Sequence, residues 1–112
     1  MADTAIRAPD IPAPVRNPHA PKIPFPAGAC DCHAHVFGPQ SRYPLLPKTH
    51  FLPHENPLSD YVRVLKTLGC ERGVLVQPSV YGTDNTLIKE ALQSRTFDRR
   101  AVVVGAEGST CR

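Results

Sequence analysis

No stretch of this 112-residue chain approaches the roughly 18 consecutive apolar residues that a membrane span needs. The N-terminus also lacks the basic-then-apolar order of a secretory signal, because prolines interrupt residues 9–26. The default expectation is therefore a cytoplasmic protein without a membrane partner. Charge of one sign is scarce: the net charge is +3, and no block of Lys and Arg or aromatic-interleaved basic stripe occurs, so nucleic acid is not an expected partner. Cysteine is scarce too. Cys30, Cys32, Cys70 and Cys111 are too few and too unevenly spaced for a disulfide framework. Cys30 and Cys32 do not readily bridge along a strand, so reduced thiols are expected. Length itself excludes something, since a closed (β/α) barrel takes about 250 residues.

Proline is what the chain has in excess. There are thirteen, and seven (Pro9, Pro12, Pro14, Pro18, Pro21, Pro24 and Pro26) precede residue 27. Each fixes φ and removes a hydrogen-bond donor, so residues 1–28 read as an extended arm without regular structure. The character changes at Ala29. Residues 29–37 (ACDCHAHVF) are β-compatible and stop at Gly38-Pro39. A proline-punctuated loop of roughly twenty residues follows, a length that usually means function or disorder.

A helix is expected from Asn56-Pro57, with Asn56 as cap, Pro57 at the first helical position and Gly69 as the stop. Leu58, Tyr61, Val62, Leu65 and Leu68 recur at helical spacing within it. Residues 73–77 (GVLVQ) form a continuous apolar run that suits a buried strand. A turn over 79–84 leads to a second helix capped by Thr83 or Asp84 and carrying Leu87, Ile88, Ala91 and Leu92. Residues 101–104 make a third strand, and the tail 105–112 shows no clear element. The order β-α-β-α-β predicts an α/β fold, a parallel sheet covered by helices. Three strands do not close a barrel, whose geometry needs about eight.

The chemistry-bearing residues lie on the first strand. With a period of two, Asp31, His33 and His35 share one face while Cys30, Cys32 and Ala34 take the other. Two imidazoles at that spacing can reach one metal ion, and Asp31 could orient an imidazole through its second nitrogen. The plain alternative is a pair of half-exposed surface histidines. A zinc knuckle from Cys30, Cys32, His33 and His35 would need a sharp turn that nothing signals. The second candidate is residues 77–85 (QPSVYGTDN), where Ser79 and Tyr81 bring hydroxyls to the same end of the sheet as His35. That loop runs into a helix N-terminus that favours an anionic ligand. Its plain reading is a polar turn with an ordinary cap.

Three segments together carry a resemblance: residues 30–39 (CDCHAHVFGP), Arg42-Tyr43-Pro44, and residues 68–85 (LGCERGVLVQPSVYGTDN). They resemble the amidohydrolase superfamily, and within it the branch of 2-pyrone-4,6-dicarboxylate lactonase and related lactone hydrolases. The likeness runs over about residues 29–104. It implies a TIM-type (β/α)₈ barrel of which this chain holds the N-terminal β-α-β-α-β portion, residues 29–112. It implies hydrolysis of a lactone or similar cyclic ester of a carboxylate substrate, with His33 and His35 as the catalytic and metal-binding pair and Asp31 behind them. It also implies that Ser79 helps hold the substrate carboxylate, while Tyr81 is a substrate-contact candidate on its place in the turn alone. The cofactor would be a divalent metal such as zinc, although this branch resembles enzymes that can act without one.

Two departures stand out. Phe51 occupies a position where the lactonase pattern carries Tyr. The later histidine and water-activating aspartate of such barrels belong to strands beyond Val104, where this chain reads GAEGSTCR. The expectation is a truncated or frame-shifted product, inactive alone and prone to self-association through an open sheet edge. Its rival is a non-catalytic binding module. A phosphoesterase that also opens with Asp-x-His-x-His is disfavoured by the Phe-Gly-Pro after the motif and by residues 77–82 (QPSVYG).

Overall fold

The computed structural model describes residues 11–106 and 108; the first ten residues of the expected arm, and Cys111 with most of the tail, lie outside them. Three strands, β1 (Cys30–Ala34), β2 (Arg72–Val76) and β3 (Asp98–Val102), form a parallel sheet in the order β1-β2-β3. Helix α1 (Leu58–Leu68) links the first two strands, and α2 (Thr86–Leu92) links the second and third. The expected α/β order is the one observed.

Both helices pack on the same face. Leu65 of α1, Ile88 and Ala91 of α2, and Leu75 of β2 close one core with Val36, Cys70 and Phe97. Leu75 is fully buried, a position where one leucine contributes about 1.5–3 kcal/mol through burial. The opposite face carries no helix among the described residues. Val102 there is 54% exposed and Val104 41%.

Several boundaries differ from expectation: β2 runs one residue earlier, over Arg72–Val76, and Asn85 rather than Thr83 or Asp84 is the N-cap of α2. Pro57 caps α1 from extended backbone and Leu58 is its first residue, because Asn56 pairs instead with Phe37 in an antiparallel bridge. The third strand begins at Asp98 rather than Ala101, since Asp98, Arg99 and Arg100 all find register partners on β2. Strand β1 ends at Ala34, one residue before His35. The expected stop at Gly69 holds. Its φ of 77° is left-handed, and the Gly69 and Cys70 N–H groups satisfy the carbonyls of Lys66 and Leu65.

The long loop after β1 is ordered by its own contacts. The Phe37–Asn56 bridge (2.9 and 2.8 Å) closes its base like the neck of an Ω-loop. Inside, Tyr43, Val80 and Tyr81 form a second core with Phe37, Leu45 and Phe51. Tyr43 and Arg42 also reach Glu90 on α2. The proline-rich arm has no helix or strand over residues 11–29, yet it is strapped down. Arg16 bonds Asp60 at 2.6 Å and the Glu55 carbonyl at 2.9 Å, holding the arm against the start of α1.

Candidate active site at the strand exits

Parallel strands put their C-terminal ends together, and in this sheet that end gathers His35, Gln77 and the turn after it. The first element is β1 itself. Its register with β2 slips: Asp31 pairs with Gly73 but Ala34 pairs with Leu75, so three steps on one strand match two on the other. This bulge corrects the simple alternation. Asp31 turns to the helix-covered face, where its Oδ2 accepts the Tyr61 hydroxyl at 3.0 Å. Ala34 and Val36 join the core on that face. His33 and His35 go the other way and are exposed. Cys32 is exposed with them rather than covered.

The two imidazoles meet edge to face, with centroids 5.0 Å apart. Nδ1 of His35 lies 2.8 Å from the Val76 carbonyl oxygen. A carbonyl only accepts, so Nδ1 is the donor of this bond, and Nε2 is left for another partner. Asp31, expected to hold an imidazole, instead accepts the backbone N–H of His33 at 3.3 Å. Phe37 lies beside His35, with centroids 6.2 Å apart. A cavity of about 120 Å³ runs from His35 to Arg16, Asp60 and Tyr61 beneath the arm.

The second element is the exit of β2. Gln77 is buried, and its amide donates to the Gly82 carbonyl at 3.2 Å and the Asp84 carbonyl at 2.8 Å. That clamp shapes a short 3₁₀ turn, Ser79–Tyr81. Ser79 is exposed, three residues beyond the carbonyl that holds His35. Tyr81 is only 3% exposed, and its hydroxyl oxygen accepts the Gly38 N–H at 3.2 Å. Burial raises its pKa, so the phenol stays protonated and ties one strand exit to the other. The hydroxyl expected to meet substrate is thus engaged with the Gly38 backbone. Sequence reading placed Gln77 in the segment without seeing its role. The signal was an amide side chain ending an apolar strand, where a buried polar group needs partners.

The donor set tests the metal expectation. Catalytic zinc usually takes three protein ligands and a water. His33 and His35 supply two, Asp31 faces away, and no group of three metal-ligating side chains gathers among the described residues. These residues alone do not fit a catalytic metal, although amidohydrolases usually use one. The thiols do not add to the set. Cys30, Cys32 and Cys70 are free, and desolvation and the neighbouring Cys32 push the Cys30 thiol up, away from thiolate.

The chain has known relatives. The chain is 41% identical over 91 residues to a 4-sulfomuconolactone hydrolase of Rhizobium radiobacter, covering 78% of this chain and 30% of that protein. It is 35% identical over 86 residues to a 2-pyrone-4,6-dicarboxylate hydrolase of Comamonas testosteroni, covering 77% of this chain and 28% of that protein. A solved structure from Acinetobacter baumannii, described as a probable 2-pyrone-4,6-dicarboxylic acid hydrolase with citric acid bound, superposes with a TM-score of 0.67 at 27% identity. That match covers 74% of this chain and 31% of the other. The chain thus spans about 30% of the length of the curated relatives it matches. Its neighbours are TIM-barrel enzymes, and its sheet matches one portion of such a barrel. The family model described as Amidohydrolase matches residues 30–108, and the chain belongs to that family.

Proposed function

We propose that residues 29–112 supply the first strand exits of a lactone hydrolase, with His33 and His35 acting on the ring carbonyl of a carboxylate-bearing lactone. The observation that carries this is the imidazole pair itself. One ring is fixed by the Val76 carbonyl, the other stands 5.0 Å away, and both are open to solvent on the face that a barrel turns inward. A protonated imidazole there would donate to a carbonyl oxygen as it gains charge, and a neutral one would accept a proton from water. Ser79 would hold the substrate carboxylate from the adjacent exit. Tyr81 would act through the loop it supports. The water-activating carboxylate must come from elsewhere, because Asp31 is engaged on the covered face.

A chimera tests this reading. Residues 30–108 would replace the matching segment of the Rhizobium radiobacter relative, and hydrolysis of 4-sulfomuconolactone would be followed. We expect turnover that falls roughly 10²–10⁴-fold in kcat/KM with His33→Ala or His35→Ala. A chimera equally active without both histidines would overturn the proposal. The 112-residue chain alone, assayed with and without zinc, is expected to show no turnover above buffer. Its free β3 edge would favour pairing with another strand, read by sedimentation.

A further inference from the structure

The bulge in β1 leaves an accounting question. Cys32 and His33 fall between the paired positions Asp31↔Gly73 and Ala34↔Leu75, so the His33 N–H stands outside the register. A backbone donor without a ladder partner needs another acceptor. Asp31 supplies it: Oδ1 takes the His33 N–H at 3.3 Å while Oδ2 takes the Tyr61 hydroxyl at 3.0 Å. Tyr61 belongs to α1, in the helix layer, and crosses over β2 to reach that carboxylate.

Gly73 makes the crossing possible. It is the register partner of Asp31, and a Cβ built on it would lie 2.5 Å from the Tyr61 hydroxyl oxygen and 3.2 Å from a Phe97 ring carbon. Its backbone does not demand glycine through a positive φ, so space is the reason. Phe97 then buttresses the Tyr61 ring edge to face, with centroids 5.7 Å apart and planes at 83°. Burial and the Asp31 carboxylate both push the Tyr61 hydroxyl pKa upward, so it remains a donor.

We infer that Tyr61 is a positioning residue for His33, acting through Asp31, and that Gly73 is the gap that lets it do so. The contact order is Phe97, Tyr61, Asp31, then the His33 backbone. It runs from the covered face through the bulge to the open one. Without the hydroxyl, the Asp31 carboxylate loses its anchor and the His33 N–H loses a fixed acceptor. The imidazole carried by the same residue then samples more directions relative to His35. The inference rests on the reading of His33 and His35 as the site pair, but its geometry is independent of what they bind.

The test is NMR on the ¹⁵N-labelled chain as wild type, Tyr61→Phe, Gly73→Ala and Asp31→Ala. Amide exchange at His33 should quicken roughly tenfold in Asp31→Ala, where a hydrogen-bonded acceptor is deleted, and severalfold in Tyr61→Phe. Gly73→Ala should reproduce the Tyr61→Phe pattern, since both remove the hydroxyl from Asp31. The ring ¹⁵N shifts of His33 should move, while the Val80 amide in the second core stays put. If Gly73→Ala does not fold, Tyr61→Phe decides alone. An unchanged His33 amide and ring in Tyr61→Phe would overturn the inference, as would loosening spread evenly over the sheet. Failure of the chimera with this NMR response intact would reject the lactonase reading and leave the positioning standing. The reverse pair of results would reject the positioning alone.

Discussion

The two faces of the three-stranded sheet are built by the same strands and do opposite things. On the covered face, Gly73, Leu75 and Gln77 alternate along β2 and its exit, and all three are buried. On the open face, Val74 and Val76 are half-exposed, Val102 and Val104 are bare, and the imidazoles of His33 and His35 meet solvent. The covered face therefore holds nearly all the packing, and the open face holds the chemistry. Yet the open face owes its geometry to the covered one. His33 is held through Asp31 and Tyr61, and the second strand exit is shaped by a buried glutamine amide bonded to the Gly82 and Asp84 carbonyls.

The comparison breaks if the faces are energetically alike. Leu75→Ala empties a site of 0% exposure and is expected to cost about 2–5 kcal/mol in urea unfolding. Val102→Ala, on a residue 54% exposed, should stay within about 0.5 kcal/mol. Equal losses would mean that the valine face is covered in solution, as self-association through it would cause. Repeating the pair at two protein concentrations separates the cases, because an association contribution grows with concentration.

Gln77→Ala probes the support that the covered face gives the second strand exit. It removes two donors from the Gly82 and Asp84 carbonyls, a loss expected to cost about 1–3 kcal/mol. Its signature is local: Ser79 and Tyr81 amides should exchange faster, while those of β3 hold. Slow, unchanged exchange across residues 79–81 would show that the turn stands without the amide.

Much of the covered face was legible in the sequence, and much of the open face was not. Helical spacing from Leu58 to Leu68, the glycine stop at 69 and the apolar run after Gly73 each report a local rule, and local rules hold where one face is buried. The two histidines were legible as a pair for the same reason. The place of Asp31 was not. Alternation assumes an uninterrupted ladder, and the bulge is fixed by pairing with a strand about forty residues away. Pairing between residues apart in sequence likewise hides the strap at Arg16, the Phe37–Asn56 bridge and the crossing of Tyr61 over Gly73. Proline counting spoke correctly against helices in residues 11–26, but it carries no information about which carboxylate an arginine will find.

The smallest expected effect lies at the edge between the faces, where Asp84 stands just before Asn85, the N-cap of α2. Its Oδ1 accepts the Thr86 hydroxyl at 2.6 Å and the Thr86 N–H at 3.1 Å, and these bonds lower its pKa below the ordinary 3.8, with Lys89 assisting. A carboxylate whose pKa falls on folding stabilises the fold above its unfolded value, and that contribution fades as pH drops through the folded one. The loss therefore begins near 3.8 and runs downward; nothing is lost between neutral pH and that point. Asp84→Asn keeps an acceptor for Thr86 but carries no charge, so its thermal midpoint should differ from the parent near neutrality and converge with it in acid. Because the side chain is exposed, water screens the charge and the gap should stay well under that of Gln77→Ala. Parallel melting curves for the two proteins from pH 7 to pH 2 would read it. If the gap between them holds constant to the lowest pH, the bonds to Thr86 work by geometry alone and the charge on Asp84 contributes nothing to the turn that carries Ser79.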